Sequence, residues 1–191
     1  GTRAAGGRGR SSARWRSRPT FEWEYIMEPN FDALQLIAEL ALGIVGFSAI
    51  LIGLSRSSDG FSAPDNFRIQ LLTYSAFGAM FGSILPFAIF SDQNLELAWV
   101  ISCWIICFYS VVGLLVFPKR MLLLRKQGHK EIFPIKLYFF QTGILSTIFI
   151  LSGLMIIGYL TELTNIYIVC LILFLLQSTV AFIRTMFVRV N

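Results

Sequence analysis

Five stretches of the chain are each about 20 residues long, mostly apolar and almost free of charge, and that pattern leaves few folds open. Lipid offers no partner to an exposed peptide group, so a segment that crosses it must close its own backbone hydrogen bonds as a helix. The stretches run from about Ala33 to Leu54, Ile69 to Phe90, Leu97 to Phe117, Leu137 to Leu160 and Thr164 to Ile183. They predict an all-α polytopic membrane protein, a bundle of five transmembrane helices. With 55% hydrophobic and 14% charged residues, the chain is more apolar than a soluble domain of this length. The link Thr161 to Leu163 predicts a tight turn that makes the last two helices an antiparallel hairpin.

Charge supplies the orientation. Beyond residue 26 the cations fall in the loop Ser55 to Arg68, the loop Pro118 to Lys136 and the C-terminus, and the links Ser91 to Glu96 and Thr161 to Leu163 have none. In a five-span chain those three cationic segments share one side, which the positive-inside rule assigns to the cytoplasm, giving N-outside and C-inside. The opposite side holds Glu28, Asp32, Asp92, Glu96 and Glu162.

Most of the formal charge of +5 has another origin. Residues 1–26 hold six arginines against Glu22 and Glu24, in a Gly-, Ala- and Ser-rich composition that cannot build a core. This tail reads as foreign sequence ahead of a native start at Met27, because six arginines outside contradict the charge rule. A truncated organelle transit peptide and an arginine-rich RNA-binding arm are the other readings; the expected partners do not include nucleic acid. The tail has no apolar h-region of the kind a secretory signal needs.

Close backbone approach drives helix association in lipid, so small residues at helical spacing mark contact faces. The second span carries Gly78 and Gly82 as a G-x-x-x-G motif, with Ser75, Ala79 and Ser83 at the same interval. The first span carries Gly43, Gly46 and Gly53, with Glu39 on the same stripe. Both stripes are expected to pack within the bundle. Pro86 is expected to kink the second span.

Glu39 is the acid inside a span, and a carboxylate at depth is costly enough to make it the leading candidate site. Counted from Ala33 it lies about 9 Å in from the outer end, at a depth similar to Ser83, Ser102, Cys103, Ser152 and Cys170. A polar layer is expected there, with Glu39 hydrogen-bonded to one or more of the serines. Gln177 and Gln141 are neutral amides suited to tying helices together. Arg184 is expected to snorkel at the cytoplasmic end of the fifth span. Cys103, Cys107 and Cys170 lie in apolar segments and are expected to pack as small hydrophobes. In the loop Pro118 to Lys136, the residues Lys119, Arg120, Arg125 and Lys126 flank the apolar run Met121 to Leu124. That arrangement reads as a topology-setting loop, with a short helix on the membrane surface as the alternative. His129 in the same loop is expected to be solvated.

No zinc-binding, P-loop, G-x-S-x-G or CxxC pattern occurs, no span carries two acids or an acid with a histidine, and no inverted repeat stands out. The expectation is therefore a non-enzymatic protein without metal or cofactor. The residues Ala38-Glu39, Gly43, Gly46-Phe47, Asp65, Arg68, Leu85-Pro86, Gln177 and Phe182-Ile183-Arg184 resemble those of a set of small bacterial integral membrane proteins with no assigned activity. The resemblance covers most of Met27 to Asn191, implies a bacterial inner-membrane setting and adds weight to Glu39. Two functions follow as expectations. One is an accessory subunit that binds lipid, a membrane-protein partner or a second copy of itself. The other is a small transporter, channel or sensor in which Glu39 titrates or binds a cation, with Gln177 further along the path.

Overall fold

The computed structural model describes residues 30–54, 62–89, 95–160 and 162–187, and every regular element among them is a helix. The helices are α1 (Phe31–Leu54), α2 (Ala63–Ile89), α3 (Leu95–Lys126), α4 (Ile135–Ile156) and α5 (Leu163–Phe187). All five are long and apolar enough to cross a membrane, which makes the chain a multi-pass membrane protein. The Arg-rich tail, Arg56, Asp92 and Arg189 lie outside the described residues.

Polar residues at the helix ends move three boundaries from those expected. The Ser62 hydroxyl accepts the Asp65 amide (3.3 Å), an N-cap that starts α2 six residues before Ile69. Asn30 does the same for α1, its side-chain oxygen accepting the Ala33 amide at 3.1 Å. At the end of α4, Gly158 adopts φ +76. The Gly158 amide bonds the Met155 carbonyl and the Tyr159 amide the Leu154 carbonyl, a Schellman stop that a side chain with a Cβ adopts only with strain. The link to α5 is thus longer than the three-residue turn expected from hydropathy.

The largest correction concerns Pro118 to Lys136. Proline does not end α3, which runs on to Lys126. Phe117, Met121 and Leu124 repeat at helical spacing and are all buried, so the apolar stripe of the span continues past the proline and holds the chain helical. Lys119, Arg120, Arg125 and Lys126 are accordingly the far end of a spanning helix, not a loop or a separate surface helix. Gly128 (φ +104) closes it with a second Schellman pair, the Gly128 amide to the Arg125 carbonyl and the His129 amide to Leu124.

Packing places α2 and α5 at the centre. α1 lies against both of them, while α3 and α4 pair with each other and complete the far side. Side-chain contacts fix an alternating up-and-down course. Phe31 at the start of α1 meets Phe87 at the end of α2 (4.6 Å), and Cys103 early in α3 meets Met155 late in α4 (3.9 Å). At the other end, Phe67 meets Phe117 and Phe133 edge-on, and Phe47 meets Phe182. Arg68, Lys119, Arg120, Arg125, Lys126, Lys130, Lys136 and Arg184 all gather at that second end. Arg125 and Arg184 donate to the consecutive carbonyls of Phe133 and Ile132, and Arg68 pairs with Asp65 at 3.3 Å. At the first end lie Asp32 and Glu162.

Candidate functional site

Each residue of a helix is turned about 100° from the one before, and that rotation decides what Glu39 can reach. The buried residues of α1 are Leu34, Ile37, Ala41 and Ser48, which share one face against α2 and α5. Glu39, Gly43, Gly46 and Gly53 cluster about the opposite direction. Glu39 is exposed, eight residues or about 12 Å along the helix, and its Oε1 accepts a hydrogen bond from Gln35 Nε2 of the same stripe at 2.9 Å.

The expected bonds from Glu39 to the serines are therefore not made. Ser83, Ser102 and Ser152 are buried, and each donates to a carbonyl one turn back in its own helix: Ala79 (2.7 Å), Ala98 (2.9 Å) and Ile148 (2.8 Å). This local bond satisfies the hydroxyl without a second helix. The polar layer does exist, but Tyr167 organises it. The Tyr167 hydroxyl, buried on α5, donates to the Gly82 carbonyl of α2 at 2.6 Å, lies in hydrogen-bond reach of Ser102, and its ring meets Trp99 edge-on. Cys103 and Cys170 are buried beside it as free thiols, and Cys107 is half-buried, also free.

The two glycine stripes separate in the same way. A Cβ added at Gly78 would sit 2.7 Å from Cε1 of Tyr109, and one at Gly82 would sit 2.5 Å from Cδ2 of Leu171, so the second-span motif is a contact seam as expected. At Gly43, Gly46 and Gly53 a Cβ meets nothing within 4 Å among the described residues. The first-span stripe does not pack within the bundle, because the face of α1 it occupies points away from every other described helix.

A tyrosine pair is the feature that sequence reasoning missed. Tyr74 of α2 and Tyr109 of α3 stack with centroids 4.2 Å apart and planes 9° from parallel. Each hydroxyl donates to the other residue's backbone carbonyl, Tyr109 to Tyr74 at 2.8 Å and Tyr74 to Tyr109. Gly113 makes room for this pair, since a Cβ there would lie 3.1 Å from the Tyr74 ring. Two tyrosines near mid-span are the available signal, but nothing in their spacing reveals that they face each other.

Gln177 has no exposure and lies inside the bundle, away from the outward Glu39, so the structure does not join them along one path. Among the described residues no group of three or more His, Cys, Asp or Glu side chains could hold a metal. What the geometry presents is an outward stripe on α1 in which a carboxylate and an amide continue into three bare glycines. Large apolar side chains, Leu36, Leu42 and Phe47, stand exposed along its borders, and exposed Ile50 lies on the stripe itself between Gly46 and Gly53. No family model, curated protein or solved structure matches the chain.

Proposed function

We propose that the chain is a non-enzymatic accessory subunit of a bacterial inner membrane, with its N-terminus outside and its basic end in the cytoplasm, and that it engages another transmembrane helix through the outward stripe of α1. The observation behind this reading is the open space at Gly43 and Gly46 on the same face as Glu39. Glycines give a second helix close access to the backbone, and van der Waals packing at such contacts is a main source of association in lipid. Glu39 strengthens the case, since a carboxylate toward the hydrocarbon costs about 2.5–3.5 kcal/mol at a helix centre and less nearer the interface. A donor on an apposed helix offsets that cost, and Gln35 already holds one carboxylate oxygen in place. The bacterial inner-membrane setting rests on the resemblance of the Ala38 to Phe47 segment, and the orientation on the charge rule.

A transporter or sensor built on Glu39 is the second reading. On that reading, the outward direction of Glu39 favours a path between this chain and a neighbour over one through the single bundle.

The test is site-specific photo-crosslinking in native membranes. A photoreactive residue at Gly46 is expected to give a discrete protein adduct, a dimer of the chain or a heteromer. The same residue at Ile150, exposed on α4, is expected to give lipid adducts alone. Glu39→Leu should reduce the Gly46 adduct. Equal adduct patterns from the two positions would reject a docking role for α1.

A further inference from the structure

Gln177 lies fourteen residues into α5, about 21 Å along a helix of about 37 Å. It has no exposure, and neither Oε1 nor Nε2 has a hydrogen-bond partner among the described residues. An amide buried in this way carries a desolvation cost of about 1–3 kcal/mol unless something completes its bonds. Beside it is a cavity walled by Phe117, Pro118 and Met121 of α3 and by Gln141 and Thr142 of α4. Its size admits about one water molecule.

The chemistry of the wall selects the occupant. Gln177, Gln141 and Thr142 are the polar residues of an otherwise apolar lining, and their carbonyl, amide and hydroxyl groups are those a buried water would draw on for the two to four polar partners it requires. None of the lining side chains is charged, and a cation in such a site would sit uncompensated in a low dielectric. Water both donates and accepts, so it fits the Gln177 amide in either orientation of its oxygen and nitrogen.

We infer that the cavity between α3, α4 and α5 is a water-binding site, in which one water molecule bridges the Gln177 amide to Gln141 and Thr142. The bridge joins α5 to α4 in the half of the bundle nearer the basic end. It does so through an exchangeable ligand where two amides in direct contact would fix the distance between the helices. The site is separate from the α1 stripe and does not depend on it.

The test is NMR on the whole chain, ¹⁵N-labelled at glutamine, in lipid nanodiscs without added sodium. The Gln177 side-chain signals are identified by their loss in Gln177→Met. The expected result is a rotating-frame cross-peak between water and the Gln177 amide protons, as for Gln127, which is exposed in the turn after α3. Gln141→Leu combined with Thr142→Val should abolish the Gln177 cross-peak and leave that of Gln127. Gln177 protons that show no water cross-peak and persist for days in heavy water would overturn the inference. So would a Gln177 signal that shifts saturably with sodium and loses its water cross-peak as it does, which would make the occupant a cation.

Discussion

Replacing Gly78 with alanine tests the account of the bundle at its tightest point. The new Cβ would stand 2.7 Å from Cε1 of Tyr109 and 3.4 Å from Cδ1 of Phe174. A flexible side chain could swing aside, but the Tyr109 ring is stacked on Tyr74 and tied to it by hydrogen bonds in both directions. Relief of the clash therefore displaces the ring pair. Overpacking of this kind costs about 1–3 kcal/mol, and the two interhelical bonds add about 0.6 kcal/mol each. Against this, alanine is favoured over glycine in a helix by about 1 kcal/mol. The net expectation is a loss of about 2 kcal/mol. Gly43→Ala meets nothing within 4 Å, so it keeps the helix gain without the clash and should be neutral or stabilising by up to about 1 kcal/mol. Reversible unfolding of the purified chain in mixed dodecyl maltoside and SDS micelles, followed by far-ultraviolet circular dichroism, measures both. Equal stability of the two variants would refute the assignment of one glycine stripe to the inside and the other to the outside.

Tyr109→Phe and Tyr167→Phe each remove one interhelical donor and leave the ring. Each should lower stability in the same assay by about 0.6 kcal/mol and at most about 1.7. A Tyr74→Phe, Tyr109→Phe cycle should show coupling, because each hydroxyl holds the other ring in place. For orientation, single cysteines at Lys126 or Lys130 in a chain lacking Cys103, Cys107 and Cys170 should react with an impermeant maleimide only from the cytoplasm. A cysteine at Glu162 should react only from the opposite side, and labelling of all three from one compartment would overturn the assignment.

The spans and the sorting of charge to two ends were legible because both depend on bulk properties of long segments. A run of about 20 apolar residues has one structural outcome in lipid, and the cations follow from counting. Boundaries were less legible where polar residues belong to helices. Ala63 to Arg68 look like loop by hydropathy, yet the Ser62 cap folds them into α2. Pro118 looks like a stop, yet burial of Met121 and Leu124 carries α3 past it. Which face a glycine stripe presents was not legible at all. Gly78 and Gly43 occupy similar patterns, and their difference is set by Tyr109, which comes from another helix. For the same reason Glu39 was wrongly given serine partners, since distance along a helix does not fix direction around its axis.

The tyrosine pair between α2 and α3 restricts how the protein can move. A slide of one helix along the other by a single residue would break both hydrogen bonds and the ring stack together, so these two helices travel as one body. Under the proposed docking role, displacement on engaging a neighbour is expected at α1, the helix that carries the outward glycines. The response of the assembly is expected to be a pivoting of the first helix upon a stationary frame.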